Sequence, residues 1–232
     1  MQGIDGPRLA PSGGGSPKRL IIFAHGYGSN GDDLIGLAQY WAAAMPDAAF
    51  VSPHAPEPVP GYPGGRQWFP ITRLDPREMA QGAARAGVVL DAFIDAELER
   101  NALPAAACAL VGFSQGTMMS LHVGLRRAEP LGAIVGYSGA LVGPEALPGA
   151  IRSRPPVLLA HGDADDMVPV DALFAALAGL AGAGVPAAFQ ITPGMGHSIS
   201  PEGLSAGGAF LADAFVGRLA SWAAPCPLSA RP

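Results

Sequence analysis

Short apolar runs alternate with segments of helical periodicity along most of this chain. The runs are four or five residues long and cover 20–24, 49–52, 107–111, 131–135, 156–160 and 187–191. Helical periodicity predicts helices over 33–45, 75–100, 116–127, 171–183 and 205–222. Strands that are apolar throughout are buried on both faces, as in a parallel sheet that helices cover. The pattern predicts an α/β fold, with a mainly parallel sheet and helices on both faces.

The longest predicted helix has the clearest local start signals. Asp75 is a good N-cap, Pro76 suits the first helical position, and Glu78 can complete a capping box. Asn101 follows Arg100 as the predicted end. The residues before this helix, 53–74, form a long excursion with several Pro and Gly residues. A long loop in a compact domain usually belongs to a functional site, so we expect this one to lie near the site.

The length of 232 residues suits a single α/β domain. We expect this domain to cover 18–224. Residues 1–17 are rich in Gly, Ser and Pro and predict a flexible N-terminal segment, and residues 225–232 predict an irregular C-terminal tail. The first segment lacks the apolar centre of a secretory signal, which leaves a cytoplasmic location as the expectation.

The composition argues against several classes of function. Apolar residues make up 49% of the chain, charged residues make up 14%, and the net charge is −5. This lightly charged chain has no basic footprint for nucleic acid. No uninterrupted apolar run approaches the ~18 residues that span a bilayer, so stable membrane insertion is not expected. Cys108 lies in a buried run, and a disulfide from it to Cys226 is not expected.

The segment Gly112-Phe113-Ser114-Gln115-Gly116 has the pattern Gly-x-Ser-x-Gly. It joins a predicted strand to a predicted helix, which is the context in which this pattern forms a nucleophile elbow. Such a turn exposes the serine hydroxyl above the carboxyl edge of the sheet. Glycines flank it because the backbones of strand and helix come close together. Ser114 is therefore the predicted nucleophile.

A serine hydroxyl needs a base, and His197 is the best candidate among five histidines. It lies in a Gly-rich loop between the last predicted strand and the last predicted helix. His25 and His161 each end a strand as His-Gly, which favours buried rings that fix loops. His54 lies in the Pro-rich loop, and His122 lies within a helix, so structural roles are predicted for both.

The acid that orients the base should lie between the serine and the histidine in sequence. Asp163, Asp165 and Asp166 all lie in the segment 161–169. Asp171 comes soon afterwards and is predicted to cap a helix. Spacing alone does not choose among the first three. The loop also lacks a calcium-loop pattern, so a metal site is not expected there.

The tetrahedral intermediate of acyl transfer needs hydrogen-bond donors for its oxyanion. The backbone N–H of Gln115, directly after the nucleophile, is one candidate. The second should come from a loop after an early strand, where His25-Gly26-Tyr27-Gly28 has suitable position and glycine content. We therefore predict that Tyr27 N–H is the other donor. The alternative is that this segment is a plain Gly-rich turn.

These residues together resemble the phospholipase/carboxylesterase family of α/β-hydrolases, which includes carboxylesterases and acyl-protein thioesterases. The matching stretches are 23–28, 53–56, 68–69, 112–116, 137–139, 161–169 and 194–198. The resemblance implies that Asp165 is the triad acid and supports Tyr27 and Gln115 as the oxyanion hole. It also implies ester, thioester or lysophospholipid substrates, no cofactor, and possible homodimers. Tyr27 departs from the leucine common in the family.

The predicted function is hydrolysis of short- to medium-chain carboxylic esters by a serine carboxylesterase that forms an acyl-enzyme. Trp68, Phe69 and Met167 are predicted to contact the substrate, with Trp68 and Phe69 in one wall of the acyl site. The alternative for that pair is to pin the long loop to the core. An acyl-protein thioesterase or lysophospholipase with the same triad, and a non-catalytic acyl-binding protein, are the alternative functions.

Overall fold

The computed structural model describes residues 3–72 and 75–219. Its strands are β1 (Arg8–Leu9), β2 (Arg19–Ala24), β3 (Ala48–Val51), β4 (Glu57–Pro58), β5 (Arg66–Gln67), β6 (Cys108–Phe113), β7 (Ala133–Tyr137), β8 (Val157–Gly162) and β9 (Ala187–Thr192). Its α-helices are α1 (Gly31–Leu34), α2 (Ala38–Trp41), α3 (Pro76–Asn101), α4 (Gln115–Gly124), α5 (Leu147–Ala150), α6 (Asp171–Gly182) and α7 (Pro201–Phe215). Short 3-10 turns cover Ile35–Leu37, Ala105–Ala107 and Pro144–Ala146.

Seven of these strands form one sheet in the order β1-β3-β2-β6-β7-β8-β9. The neighbours from β3 to β9 are parallel, and β1 is antiparallel at the edge. Strand β3 follows β2 on one side, and β6 pairs with β2 on the other. The crevice between the carboxyl ends of β2 and β6 is therefore a topological switch point, where ligands bind in open α/β sheets.

Alternate residues of the central strands bury opposite faces of the sheet. From β2, Leu20 and Ile22 pack with α3 and α4, and Ile21 and Phe23 pack with α2 and α7. Both faces are therefore cores, which explains why the central strands are apolar throughout, whereas edge strand β9 is partly exposed. The prediction of a mainly parallel sheet with helices on both faces is confirmed.

The prediction of a flexible segment over 1–17 is wrong for residues 3–17. Residues Arg8 and Leu9 pair with β3 as an edge strand. The Arg8 guanidinium also lies 2.6 Å from a carboxylate oxygen of Glu97, a side chain that is almost completely buried. A buried carboxylate is costly unless a cation or several hydrogen bonds compensate for its lost hydration. This segment is therefore tied to the domain by contacts that its Gly-rich composition does not reveal.

Several element boundaries differ from the predictions in ways that local chemistry explains. The last helix begins at Pro201, because the Ser200 hydroxyl accepts a hydrogen bond from Gly203 N–H and caps it. Asp171 lies in the first turn of α6 and makes no capping bond there. The predicted helix over 33–45 is divided into two single turns of α-helix and a 3-10 turn. Residues 220–222 of the last predicted helix and the predicted tail over 225–232 lie outside the described residues.

Helix α3 has the N-cap and the first-position proline that the sequence predicts, but Glu78 does not complete the predicted capping box. The Asp75 carboxylate accepts hydrogen bonds from the N–H groups of Arg77 and Glu78, so it is the N-cap. The Glu78 carboxylate accepts from the Thr72 hydroxyl, which ties the end of the long loop to the start of the helix. Across the described residues, no helix has the length and apolar character needed to cross a bilayer.

Candidate active site

Ser114 lies between β6 and α4, in the turn that the sequence predicts. Its backbone angles are φ 54° and ψ −116°, which a residue with a side chain rarely adopts. A Cβ at Gly116 would overlap the Ala24 carbonyl oxygen, and one at Gly112 would overlap the Gly116 backbone. Glycine is therefore required at both positions. The turn holds the serine at the carboxyl edge of the sheet, beside the switch point.

An aspartate–histidine pair lies at the same edge. The Asp165 Oδ2 atom accepts a hydrogen bond of 2.8 Å from His197 Nδ1. The His197 ring also lies beside the ring of Phe113, with 5.0 Å between centroids, which brings it next to the elbow. Because Nδ1 holds the proton shared with the carboxylate, Nε2 of the neutral ring is available to accept another proton.

The Asp165 carboxylate is buried but well supplied with donors. Burial works to raise its pKa, but hydrogen bonds from Val168 N–H, His197 and Met167 N–H outweigh this effect and lower the pKa below its usual value. The backbone bonds to Oδ1 are 2.8 Å from Val168 and 3.0 Å from Met167. The carboxylate therefore remains ionised and can stabilise positive charge on His197.

His161 is a second imidazole beside this carboxylate. Its Nε2 atom is 2.8 Å from the Val168 carbonyl oxygen and 3.3 Å from Asp165 Oδ2. Both neighbours are acceptors, so Nε2 holds the proton and donates. The side chain is almost fully buried. His161 thus fixes the loop, as the sequence predicts, and it also contributes to the environment of the acid.

The three aspartates of this loop have different environments. Asp165 contacts His197, whereas Asp163 Oδ1 accepts a bond of 2.6 Å from Gly194 N–H. Asp163 therefore joins the aspartate loop to the loop that leads to His197. Asp166 is exposed. Of the three, Asp165 is the aspartate that bonds to His197, and it is also the residue that the family resemblance implies.

The turn after β2 supplies one candidate oxyanion donor. A Cβ at Gly26 would lie 3.3 Å from the Ser114 Cβ, so this turn is directly beside the elbow. The N–H groups of Gly28 and Ser29 bond to other residues of the loops. Within the residues that the structure describes, Tyr27 N–H has no acceptor. Gln115 N–H begins helix α4 and therefore has no intrahelical acceptor.

His25 fixes the position of that turn from inside the protein. Its Nδ1 donates to the Gly26 carbonyl over 2.8 Å, and its Nε2 accepts from Ala55 N–H over 2.9 Å. Burial lowers the pKa of His25 to about 4, so the ring is neutral near pH 7. The buried role predicted for His25 matches this arrangement.

Trp68 and Phe69 do not form an open substrate wall, which corrects that expectation. Both side chains are buried in the core, each about 1% exposed. The Trp68 indole donates to the His25 carbonyl over 3.0 Å, and its backbone N–H donates to Gln115 Oε1 over 2.9 Å. The Gln115 Nε2 in turn donates to the Phe69 carbonyl over 2.8 Å. The pair pins the long loop to the core, the alternative that the sequence left open.

Met167 remains accessible on the loop that carries Asp165. Its side chain is 68% exposed, and its backbone N–H bonds to the Asp165 carboxylate. His54 and His122 lie away from the Asp165–His197 pair. His54 Nδ1 accepts from Gly31 N–H, and burial lowers the pKa of His122 to about 4.

Some supporting residues of the site were not identified from the sequence. The Ser138 hydroxyl donates to the Ser198 carbonyl over 2.9 Å, and its backbone has φ 47°. It thereby connects the end of β7 to the loop that holds His197. The stretch 137–139 is part of the family resemblance, and this was the available signal. Across the described residues, no three His, Cys, Asp or Glu side chains gather as metal ligands.

A strained serine turn at the switch point of a mainly parallel sheet is the arrangement found in α/β-hydrolases that use a serine nucleophile. A sequence profile of the phospholipase/carboxylesterase family matches residues 11–214, and the chain belongs to this family. The chain is accordingly an enzyme of the ester-hydrolase class.

Similar proteins agree with this placement. The chain is 32% identical to acyl-protein thioesterase 1 of Gibberella zeae, over 82% of this chain and 88% of that protein. It is 30% identical to the esterase YpfH of Escherichia coli, over 78% of this chain and 77% of that one. The crystal structure of esterase PE8 superposes with a TM-score of 0.87 and 45% identity, and the match covers 90% of this chain and 98% of PE8.

Proposed function

We propose that the protein is a serine carboxylesterase in which Ser114, His197 and Asp165 are the catalytic triad. The observation that carries this proposal is the 2.8 Å hydrogen bond from His197 Nδ1 to the buried Asp165 carboxylate, beside the strained elbow. The bond leaves Nε2 as the basic nitrogen. Family membership and the similarity to esterase PE8 support the ester bond as the target.

In the first half of the reaction, His197 Nε2 removes the Ser114 hydroxyl proton while Oγ attacks the ester carbonyl carbon. The carbonyl π electrons move onto oxygen and form an oxyanion. When the oxyanion re-forms the carbonyl, the bond to the leaving oxygen breaks and His197 returns the proton to that oxygen. The product is an alcohol, and the acyl group stays on Ser114 Oγ.

In the second half, water replaces the alcohol. His197 Nε2 removes a proton from water, and the hydroxide attacks the acyl carbon. Collapse of this second intermediate releases the carboxylic acid, and the proton returns to Ser114 Oγ. Asp165 keeps the imidazole in one tautomer and stabilises the imidazolium in both halves. The neutral ring is the form of His197 that accepts these protons.

The backbone N–H groups of Tyr27 and Gln115 are the proposed oxyanion donors. Each is free of protein acceptors among the described residues, and the Gly26 turn lies against Ser114. Donors that are fixed before the reaction stabilise the developing charge without reorganisation. The buried contacts of His25 and of the Gln115 side chain hold both donors in place.

Short- to medium-chain esters are the proposed substrates. Exposed apolar side chains lie on the loops around the elbow, namely Tyr27, Tyr62 and Met167. They suit a neutral chain of modest length better than a charged head group. A thioester of an acylated protein is the second candidate, because the Gibberella relative is named a thioesterase.

The test is a hydrolysis screen. Purified protein is given p-nitrophenyl esters of increasing acyl length, an acyl thioester and a lysophospholipid, with Ser114→Ala as the blank. The proposal expects the highest kcat/KM for short to medium esters and no turnover by the variant. Preference for a long-chain protein thioester, with little ester hydrolysis, would replace the carboxylesterase assignment by the thioesterase one.

A cytoplasmic location and a homodimeric state stay predictions. Cell fractionation and sedimentation velocity test them, and neither result bears on the chemistry proposed for the triad.

A further inference from the structure

An apolar groove lies between α2 and α7, next to the loop that carries His197. We call it the α2–α7 groove; the lining residues that matter here are Tyr40, Trp41, Ile199, Leu204 and Ser205. It encloses about 410 Å³. That volume lies within the range of ~300–1,000 Å³ that is usual for small-molecule sites.

The floor of the groove is held in place by close packing. The Trp41 indole donates to the Leu204 carbonyl over 2.9 Å. A Cβ at Gly208 would lie only 2.7 Å from Trp41 Cδ1, so glycine lets α7 approach the indole. At the rim, Tyr40 is 63% exposed. The groove is therefore formed before any ligand binds, and its rim is open to solvent.

The lining has no charge. Among the described residues that line the groove, all are apolar, aromatic or a hydroxyl-bearing serine. A charged chain would lose its hydration there without gaining a partner, which is unfavourable. An apolar chain would instead remove its surface from water together with that of the groove. The groove therefore suits a neutral, apolar chain.

The groove adjoins the loop that carries His197. Ile199, which lines it, comes two residues after His197 in the chain. Phe113, whose ring lies against His197, packs on the same core cluster as Ile199 and Leu204. The groove and Phe113, which contacts His197, therefore lie on the same face of the sheet.

The direction of proton transfer decides whether the acyl group or the alcohol of an ester lies on the His197 side of the site. His197 Nδ1 is engaged by Asp165, so Nε2 must deliver the proton to the leaving oxygen. The leaving alcohol therefore has its oxygen against His197 during acylation. The acyl carbonyl oxygen points instead towards the Tyr27 and Gln115 donors.

We propose that the α2–α7 groove binds the apolar chain of the leaving alcohol and sets the preference for alcohol length. This inference rests on the proposed esterase function and deepens it. It assigns Tyr40, Ile199 and Leu204 to alcohol specificity, a role separate from the acyl side of the substrate. Each methylene buried in the groove should raise kcat/KM about fourfold, the equivalent of ~0.8 kcal/mol.

The experiment uses two ester series with the full-length protein. In the alcohol series, acetate is esterified to alcohols from methyl to octyl. In the acyl series, methyl esters have acids of increasing length. The variant Ser205→Trp fills the groove from an exposed position of α7, and Tyr40→Ala removes its rim. Ala209→Trp is the matched control, since Ala209 is also exposed on α7 but does not line the groove.

We expect Ser205→Trp to reduce the octyl-to-methyl ratio of kcat/KM in the alcohol series at least tenfold. Tyr40→Ala should reduce it severalfold, and Ala209→Trp should leave the wild-type ratio. In the acyl series, the ratio of kcat/KM between long and short acids should equal the wild-type ratio in all three variants. Circular dichroism confirms folding, and Tyr40→Ala serves as the test if Ser205→Trp does not fold.

Three results would overturn the inference. A flattened acyl series with an unchanged alcohol series would place the acyl chain in the groove. If the groove variants kept the wild-type ratios of kcat/KM in both ester series, the groove would have no role in substrate binding. If those variants also changed the sedimentation coefficient, the groove would be assigned to contact with a second copy of the chain. Failure of the wild-type protein to cleave any ester is a different result, which contradicts the proposed function itself.

Discussion

Two loops at the carboxyl edge of the sheet make different use of their side chains. The loop over 162–169 uses its carboxylates as hydrogen-bond acceptors. Asp165 accepts from His197, and Asp163 accepts from Gly194 N–H. In the loop over 53–72, the large aromatic side chains Trp68 and Phe69 turn into the core. The first loop presents the groups proposed to do chemistry, and the second holds the framework around them.

The difference teaches how far residue type indicates a role. A buried carboxylate needs donors, so its partners are few and chemically defined. An indole can satisfy its polar atom with a backbone carbonyl and bury the rest anywhere that is apolar, as Trp68 does with His25. Aromatic residues in a loop beside a site are therefore weak signs of substrate contact.

The largest expected effect comes from the first loop. Asp165→Asn should lower kcat about 10⁴-fold, because the amide no longer holds the proper tautomer of His197 or stabilises its positive charge. Steady-state kinetics on a short ester measure the change.

Asp163→Asn is the matched control, since this residue lies in the same loop and bonds to Gly194 instead of His197. A much smaller loss is expected from it. The assignment of the acid would be contradicted by near-normal kcat for Asp165→Asn together with a collapse for Asp163→Asn.

The second prediction concerns the framework role of the loop over 53–72. Trp68→Ala should lower the free energy of unfolding by about 3–5 kcal/mol, because it leaves a large cavity and frees the His25 carbonyl. Activity on all esters should fall together, since the turn that carries Tyr27 loses its anchor. Urea denaturation and the ester series provide the two measurements.

Tyr62→Ala, on the same loop but 59% exposed, should change stability by about 0.5 kcal/mol or less. If Trp68→Ala instead kept its stability and altered only chain-length preference, the indole would be a substrate contact after all.

The third effect is the pH dependence of stability. His25 has a pKa of about 4 in the folded protein and an ordinary value near 6.5 when unfolded, because burial disfavours its charged form. The unfolded state therefore binds more protons between these values. The contribution of the neutral His25 ring to the free energy of unfolding is fully present above pH 6.5. This contribution, on the order of 3 kcal/mol, is lost as the pH falls to about 4.

Urea denaturation at a series of pH values tests this. His122, whose pKa is also about 4, should add to the same slope. His25→Asn should reduce the loss of stability between pH 6.5 and 4, although the variant is less stable at pH 7. An identical slope in wild type and variant would show that His25 does not titrate in this way.

Much of the site could be predicted because its chemistry restricts the sequence. An elbow between a strand and a helix needs Gly112 and Gly116, and this requirement made Ser114 recognisable. The order of the loops likewise pointed to His197. The choice of Asp165 needed the family resemblance, because three aspartates share one short loop and spacing does not show which carboxylate faces the histidine.

Other features depend on contacts that no local pattern encodes. Strand β1 forms because Arg8 meets the buried Glu97, which is distant in sequence. Trp68 and Phe69 are held in the core because the side chain of Gln115 bonds to the backbone of both residues. The α2–α7 groove also arises only when two distant helices come together.

The central claim is that Ser114 is the nucleophile at a working triad. The most direct measurement is a stoichiometric reaction with a fluorophosphonate, followed by intact mass and peptide mapping. One adduct per chain, located on Ser114 and formed in step with loss of esterase activity, is the predicted result. Full labelling of another residue, or loss of activity with Ser114 unmodified, would contradict the claim.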